Sequence, residues 1–229
     1  MKTTSRLPAE ARRAAIIQAV RGVFAEKGFH GTTTRELAQA AGVSEALLFK
    51  HFPDKEALFS AMQLACCEQH LIRYQRLEAL EPSASTLVLM VHFLVSVIVD
   101  SSLSRDDDHV IQDRLALRSL AEDGHFARLQ YRPLEESWIP KVKQCVEAAV
   151  AAGDAADGPV RAELGGWFIH HIAALVRLHL LPERPVVDYG MSREQLVEQV
   201  VWFALRGLGL KDQAIRRFYN PRALALFGK

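Results

Sequence analysis

A chain of 229 residues, 49% of them apolar and 24% charged, is long enough to bury a substantial core and too apolar for wholesale disorder. Its most apolar stretches, near 87–99 and 164–181, contain His92, His170, His171 and Arg177 and do not read as membrane spans; with no basic-then-apolar leader at the start, a cytoplasmic protein is expected. The net charge of +1 is unevenly spread: residues 1–55 carry nine Lys/Arg against five Asp/Glu, the remainder nineteen against twenty-two, which places a basic head suited to a polyanion on a mildly acidic body.

No period-2 alternation occurs, and helical spacing recurs along the whole chain, so an all-α fold is expected. The spacing predicts a first helix over 8–27, with Pro8 in its first turn, an apolar stripe of Ile16, Ala19, Val20, Val23 and Phe24, and Gly28 as its stop. Thr33 followed by Glu36 is a capping-box pattern, which opens a second helix with Leu37, Ala38 and Ala41 facing inward. Gly42 gives the positive φ of a tight turn, Val43 fills the corner, and Ser44 caps a short third helix that ends at His51 before Pro53. Asp54 caps a long fourth helix running toward Leu80.

Two helices joined by a three-residue turn containing Gly form a helix-turn-helix. Its third helix must pack on one side and meet a major groove on the other, which accounts for Leu47, Leu48, Phe49 and Phe52 being interrupted by Glu45, Lys50 and His51.

Beyond lie a helix over 82–99, a loop over 101–108, a helix over 109–122 ended by Gly124, and a helix to Ala152 that Pro133 and Pro140 kink or split. After a linker over 153–159 come two strongly apolar helices, 160–181 and 192–208, and a short last helix over 212–226.

Candidate functional residues follow from these placements. Ser44, Glu45, Ala46 and Lys50 occupy the outward face of the third helix; Glu45 can accept from a cytosine amino group and Ala46 can touch a thymine methyl, although Glu45 equally complements a helix N-terminus. Thr33 and Thr34, with Arg35 beside them, can cap a helix and contact phosphate. Lys55 stands in the first turn of a helix, where a cation is locally disfavoured unless a phosphate shares the site.

In the body, His70, Tyr74, His92, Phe93, Arg114, Arg118, Phe126, Tyr131, Trp138 and Trp167 are candidates to line a small-molecule cavity. Arg114 and Arg118, one turn apart, suit an anionic ligand or surface pairing with Asp113 and Glu122. The three cysteines (Cys66, Cys67, Cys145) have neither zinc spacing nor a disulfide framework, and His179 lies eight positions beyond His171, so no metal and no cofactor are expected.

Residues 14–58 closely resemble the DNA-binding domain of TetR-type transcriptional regulators. The resemblance rests on Phe24, Gly28, Thr33-Thr34, Leu37-Ala38, Ala41-Gly42-Val43-Ser44, Leu48, His51-Phe52 and Lys55-Glu56-Ala57-Leu58. It implies a DNA-binding domain over 1–54, a helical ligand-binding and dimerisation domain over 55–229, and a phosphate contact by His51. It further implies a regulator, in the expected case a repressor, released from a near-palindromic double-stranded DNA operator by a small-molecule effector. Phe49 departs from the Tyr common in the family and lacks its phosphate-contacting hydroxyl, while Lys50 next to it can donate.

A homodimer is expected through the helices at 160–181 and 192–208, by way of Trp167, Ile169, Ala173, Ala174, Leu178 and Leu181 on the first and Leu196, Val197, Val200, Val201, Ala204, Leu205 and Leu208 on the second. Two other readings compete: an all-helical interaction protein without an effector, and an enzyme, for which the chain offers no nucleophile motif, phosphate loop or paired metal carboxylates.

Overall fold

The computed structural model describes residues 8–99 and 107–224. The described residues are helical, with one isolated bridge between Ala155 and Leu210 and no strand. In chain order the helices are α1 (Ala9–Lys27), α2 (Thr34–Ala40), α3 (Glu45–His51), α4 (Lys55–Glu78), α5 (Ala84–Val99), α6 (Asp107–Ala121), α7 (His125–Pro133), α8 (Ile139–Ala151), α9 (Ala162–Leu180), α10 (Arg193–Gly207), α11 (Asp212–Phe218) and α12 (Pro221–Leu224). They form two compact units, Met1–Ile72 with Asp107–Tyr131, and Arg73–Asp106 with Arg132–Lys229. This division by packing differs from the division at 54/55 expected from the sequence, because α6 packs on α1 and the start of α4 belongs to the same core.

The first unit is organised by the stripe Ile16, Val20 and Phe24 on α1, which meets Leu37 and Ala38 of α2, Leu48 of α3, Phe52, and Leu58 and Met62 of α4. Leu115 and Phe126, from α6 and α7, close the same cluster. Burying each large apolar side chain contributes about 1.5–3 kcal/mol, enough to hold a seven-residue helix such as α3 that is marginal alone. The caps stand where the sequence puts them: Thr33 and Glu36 make a reciprocal capping box, Ser44 accepts from the Leu47 amide, and Gly42 adopts φ 62°.

The second unit is built round α5, sixteen residues without a charge, which packs against α8, α9, α10 and α11. Gly165 and Gly166 admit close neighbours on α9: a Cβ there would come within 2.6 Å of Leu208 Cδ2 and 2.8 Å of Ile139 Cδ1 respectively.

One sequence expectation is made specific and two change. The helix carrying Pro133 and Pro140 is divided by a π-turn, Leu134–Trp138, between α7 and α8, because a proline lacks the amide that would continue the regular ladder. The last helix is two pieces, broken at Tyr219 and Asn220 ahead of Pro221. Of the loop expected over 101–108, residues 101–106 lie outside the described residues, and 107–108 already belong to α6.

The apolar sets of α9 and α10 also divide differently from the expectation. Ile169, Ala173, Leu196, Val197, Val200, Val201, Ala204, Leu205 and Leu208 are all buried within the chain itself, Val201 completely. The apolar residues left exposed are instead Leu164, Phe168 and Leu175 on α9 and Phe203 on α10, the last 66% exposed.

His170 is buried on α9, and burial, followed by the neighbouring His171, holds its imidazole down to about 4. The unfolded chain therefore binds a proton between pH 6.5 and about 4 that the folded chain refuses, and stability is lost as pH falls through that window. The expected total loss is about 3 kcal/mol, with His92, also depressed by burial, acting in the same direction. Urea midpoints at steps between pH 7 and 5 should fall for the wild type and fall less steeply for His170→Asn.

Candidate nucleic-acid interface

The connection from α1 to α2 is fixed by polar groups. Thr32 Oγ1 donates to the Gly28 carbonyl at 2.6 Å. Lys55 Nζ, at the start of α4, donates to the carbonyls of Phe29 at 2.9 Å and Thr32 at 3.0 Å, and lies 4.3 Å from the centre of the Phe29 ring. The Glu36 carboxylate accepts from Lys27 Nζ, from the Thr33 amide and from Thr33 Oγ1. Lys27, then Thr33, hold it well below the usual carboxylate range, at about 2.

Two further ties orient α3. Thr34 Oγ1, at the start of α2, donates to Glu45 Oε2 at 2.8 Å. Arg13 of α1 donates from Nη1 to the His51 carbonyl at 2.8 Å, closing the C-terminus of α3, while its guanidinium rests 4.3 Å over the Phe52 ring. With Leu48 and Phe52 buried beneath, Ser44, Glu45, Ala46, Phe49 and Lys50 are left exposed on one helix, Arg35 is exposed on α2, and His51 is half-buried. Phe49 is 42% exposed, an aromatic with no core role. The face combines a cation, a carboxylate, a hydroxyl, a methyl and an aromatic edge, a set that can read base edges and follow a phosphate backbone.

The sequence pointed to Glu45 and Lys55 as external contacts. Both also have internal partners, Glu45 on Thr34 and Lys55 on two carbonyls. Arg13 was missed: its partners are the main chain of His51 and the ring of Phe52, 38 and 39 positions along the chain, and no local pattern announces such a pair.

The residues considered for a small-molecule cavity fall into both units. In the first, Phe126 belongs to the apolar core, Tyr131 is half-buried and Arg114 exposed. Arg118 donates to the last carbonyls of α1, Glu26 at 3.1 Å and Lys27 at 3.3 Å, and lies 3.7 Å from Glu122. The guanidinium considered for an anionic ligand is thus a helix cap.

In the second unit, His92 is buried between the Tyr219 hydroxyl and Ser96 Oγ, each at 3.4 Å, and Phe93 is half-buried. Trp138 is fully buried with no acceptor for its Nε1 among the described residues, and Trp167 stacks on His171. The side chains of His70 and Tyr74 lie outside the described residues. Among the described residues no three His, Cys, Asp or Glu are gathered closely enough to hold a metal ion, and no helix is long and apolar enough to cross a membrane.

Residues 16–62, the span of this capped and cross-tied head, match the profile of the bacterial regulatory proteins of the tetR family. Over these residues the chain is similar to that family.

The HTH-type transcriptional regulator UidR of Escherichia coli K12 is 31% identical over 114 residues, 50% of this chain and 53% of UidR, so the chain spans about half the length of the curated relatives it matches. The HTH-type transcriptional repressor Rv1474c of Mycobacterium tuberculosis is 48% identical over 52 residues, 23% of this chain and 28% of that protein. In fold, a likeness extends over the body: the crystal structure of AibR, in complex with isovaleryl coenzyme A and operator DNA, matches with a TM-score of 0.58 at 15% identity, covering 84% of this chain and 97% of AibR.

Two outcomes test the head. Lys55→Met removes both bonds to the Phe29 and Thr32 carbonyls and should lower stability in urea denaturation by about 1–3 kcal/mol; an unchanged midpoint would leave Lys55 with no structural role. Phe49→Tyr adds a hydroxyl to an exposed edge and should leave stability within about 0.5 kcal/mol, with DNA binding at least as tight in a gel shift. A clear loss of stability would place that ring in a closed environment.

Proposed function

We propose that this TetR-type regulator is a homodimeric repressor that binds a near-palindromic operator and leaves it when a small molecule binds the body. The outward face of α3 carries the reading: Ser44, Glu45, Ala46, Phe49 and Lys50 are exposed on a helix whose inward Leu48 is fully enclosed. In this reading Ser44, Glu45, Ala46 and Lys50 meet base edges in a major groove, while Thr33, Thr34, Arg35 and His51 meet phosphates and Phe49 lies along the backbone. Lys55, with two of its three N–H groups on carbonyls, retains one for a phosphate. Residues 1–54 would act as the DNA-binding part and 55–229 as the effector-binding and dimerisation part.

The sign of regulation draws support from the named repressor Rv1474c, and the response to a ligand from AibR, whose structure holds both a coenzyme A thioester and operator DNA. The effector is proposed to engage the second unit, where Trp138 Nε1 is a buried donor without an acceptor and His92 a buried polar ring. A thousandfold release of operator requires about 4 kcal/mol of preference for the state that does not bind DNA.

The dimer is supported by apolar surface that the chain leaves uncovered. Leu164, Phe168, His171, Leu175 and Leu178 recur on α9 at alternating steps of four and three, a seam for a neighbouring helix, with Phe168 half exposed and Leu175 more so. On α10, Phe203 is exposed beside Gly207, which has open space around its Cα. Two such pairs of helices, related by a two-fold, would make a four-helix bundle of at least about 2,000 Å².

Sedimentation at micromolar concentration should give about twice the 25.6 kDa chain mass for the wild type, and a folded monomer without operator binding for Phe168→Arg and Phe203→Arg. A wild-type monomer at 25.6 kDa contradicts the proposal. Val201→Arg buries a charge in the chain's own core and is expected to unfold the second unit, so it does not test the interface.

A further inference from the structure

A cavity of ≈300 Å³ opens in the first unit, walled by Phe24, Phe29, Phe59 and Phe126. The Phe59 ring meets Phe24 edge-on at 4.8 Å and lies 5.2 Å from Phe29, so the wall is continuous and aromatic. Three carboxylates, Glu56, Glu122 and Asp123, stand at the rim and are exposed. Against them is one permanent cation, Arg118, whose guanidinium already serves the carbonyls of Glu26 and Lys27 and the carboxylate of Glu122, and the imidazoles of His30 and His125 also line the cavity. No metal-binding group of acids and histidines is present among the described residues, so the surplus negative charge is not laid out as a metal site.

One wall residue reaches deeper. Gln63 lines the cavity, is 2% exposed, and its Oε1 accepts no hydrogen bond from any described residue. A buried acceptor without a donor is costly to the fold, and its unmet need is for an N–H. Carboxylates at the mouth, aromatic faces on the walls and an acceptor within are complementary to one ligand chemistry. The ligand is a protonated amine on an aromatic body: a cation for the acids and the ring faces, an N–H for the amide oxygen, and a ring to pack against phenylalanine.

We propose that the cavity of the first unit is a binding site for a protonated arylalkylamine, with Gln63 Oε1 accepting from its ammonium and Glu56, Glu122 and Asp123 balancing its charge. The site is separate from the effector residues proposed in the second unit and does not depend on them. It bears directly on the DNA-reading head, because its wall residue Phe29 supplies both the carbonyl and the ring that hold Lys55. An occupant displaces or stiffens that connection without any signal from the body.

Titration calorimetry on the full chain without DNA tests this, with phenethylammonium as the probe, 2-phenylethanol as its neutral counterpart and phenylacetate as its anionic one. Phenethylammonium should bind saturably, at least about tenfold more tightly than 2-phenylethanol, and phenylacetate should not bind. Gln63→Leu removes the unpaired acceptor and Ser60→Trp fills the mouth from an exposed position of α4; each should weaken phenethylammonium by about tenfold or more. Gln63→Leu should also raise the melting temperature, so it remains decisive if Ser60→Trp fails to fold. Absence of saturable binding, equal affinity for the alcohol, or affinity unchanged in Gln63→Leu would each overturn the proposal. Because no DNA is present, failure here leaves the operator reading untouched, and failure of operator binding leaves this site standing.

Discussion

The ammonium of Lys55 on the carbonyls of Phe29 and Thr32 is the contact on which the head depends. The connection between α1 and α2 is irregular, with only the Thr32 hydroxyl on the Gly28 carbonyl and a 3.4 Å bond from the Thr32 amide to the Phe29 carbonyl as its own ties, and its main-chain oxygens gain further donors from elsewhere. One side chain from the first turn of α4 supplies two of them and places its charge against the Phe29 ring. The start of α4, the end of α1 and the start of α2 are thereby held as one body. The capping box, the tie from Thr34 to Glu45 and the Arg13 cap on α3 then fix the direction in which Phe49 and Lys50 point. A three-helix reader of DNA is useful only if that direction is set before DNA arrives, since ordering it on binding would cost affinity.

The second constraint is the disposal of apolar surface. A 229-residue chain that is half apolar makes α5 largely internal, and α9 and α10 must then face it on one side. What they keep on the other side, Phe168, Leu175 and Phe203, is too much for an idle surface and has the spacing of a helix seam. Burial of both stripes in turn would give the proposed regulator a rigid two-fold, and a rigid two-fold is what fixes the separation of two reading heads.

The head was legible because its signals are local. Thr33 and Glu36 are three positions apart, Gly42 and Ser44 two, and each specifies one piece of geometry. The same holds for Pro133 and Pro140, which announced a break, although not that a π-turn would make it. What the sequence concealed depends on distance along the chain. Arg118 capping α1, Arg13 capping α3 and Gln63 lining one cavity with Phe24, Phe29 and Phe126 join residues tens of positions apart. Val201 was assigned to the wrong stripe for a different reason: α10 is apolar on more than one side, and periodicity cannot say which side meets α5. Only its neighbours decide that, and they leave Phe203 outside and Val201 enclosed.

The central claim is that two capped α3 helices, held at a fixed separation by the body, read DNA together. Hydroxyl-radical footprinting on the DNA flanking the regulator's own gene tests it most directly. The account expects two protected half-sites related by approximate two-fold symmetry, their centres about 34–36 Å apart or a multiple of one turn, with protection lost together rather than one half at a time as salt is raised. Protection of a single half-site, or no protection at concentrations where the chain is folded, would contradict it.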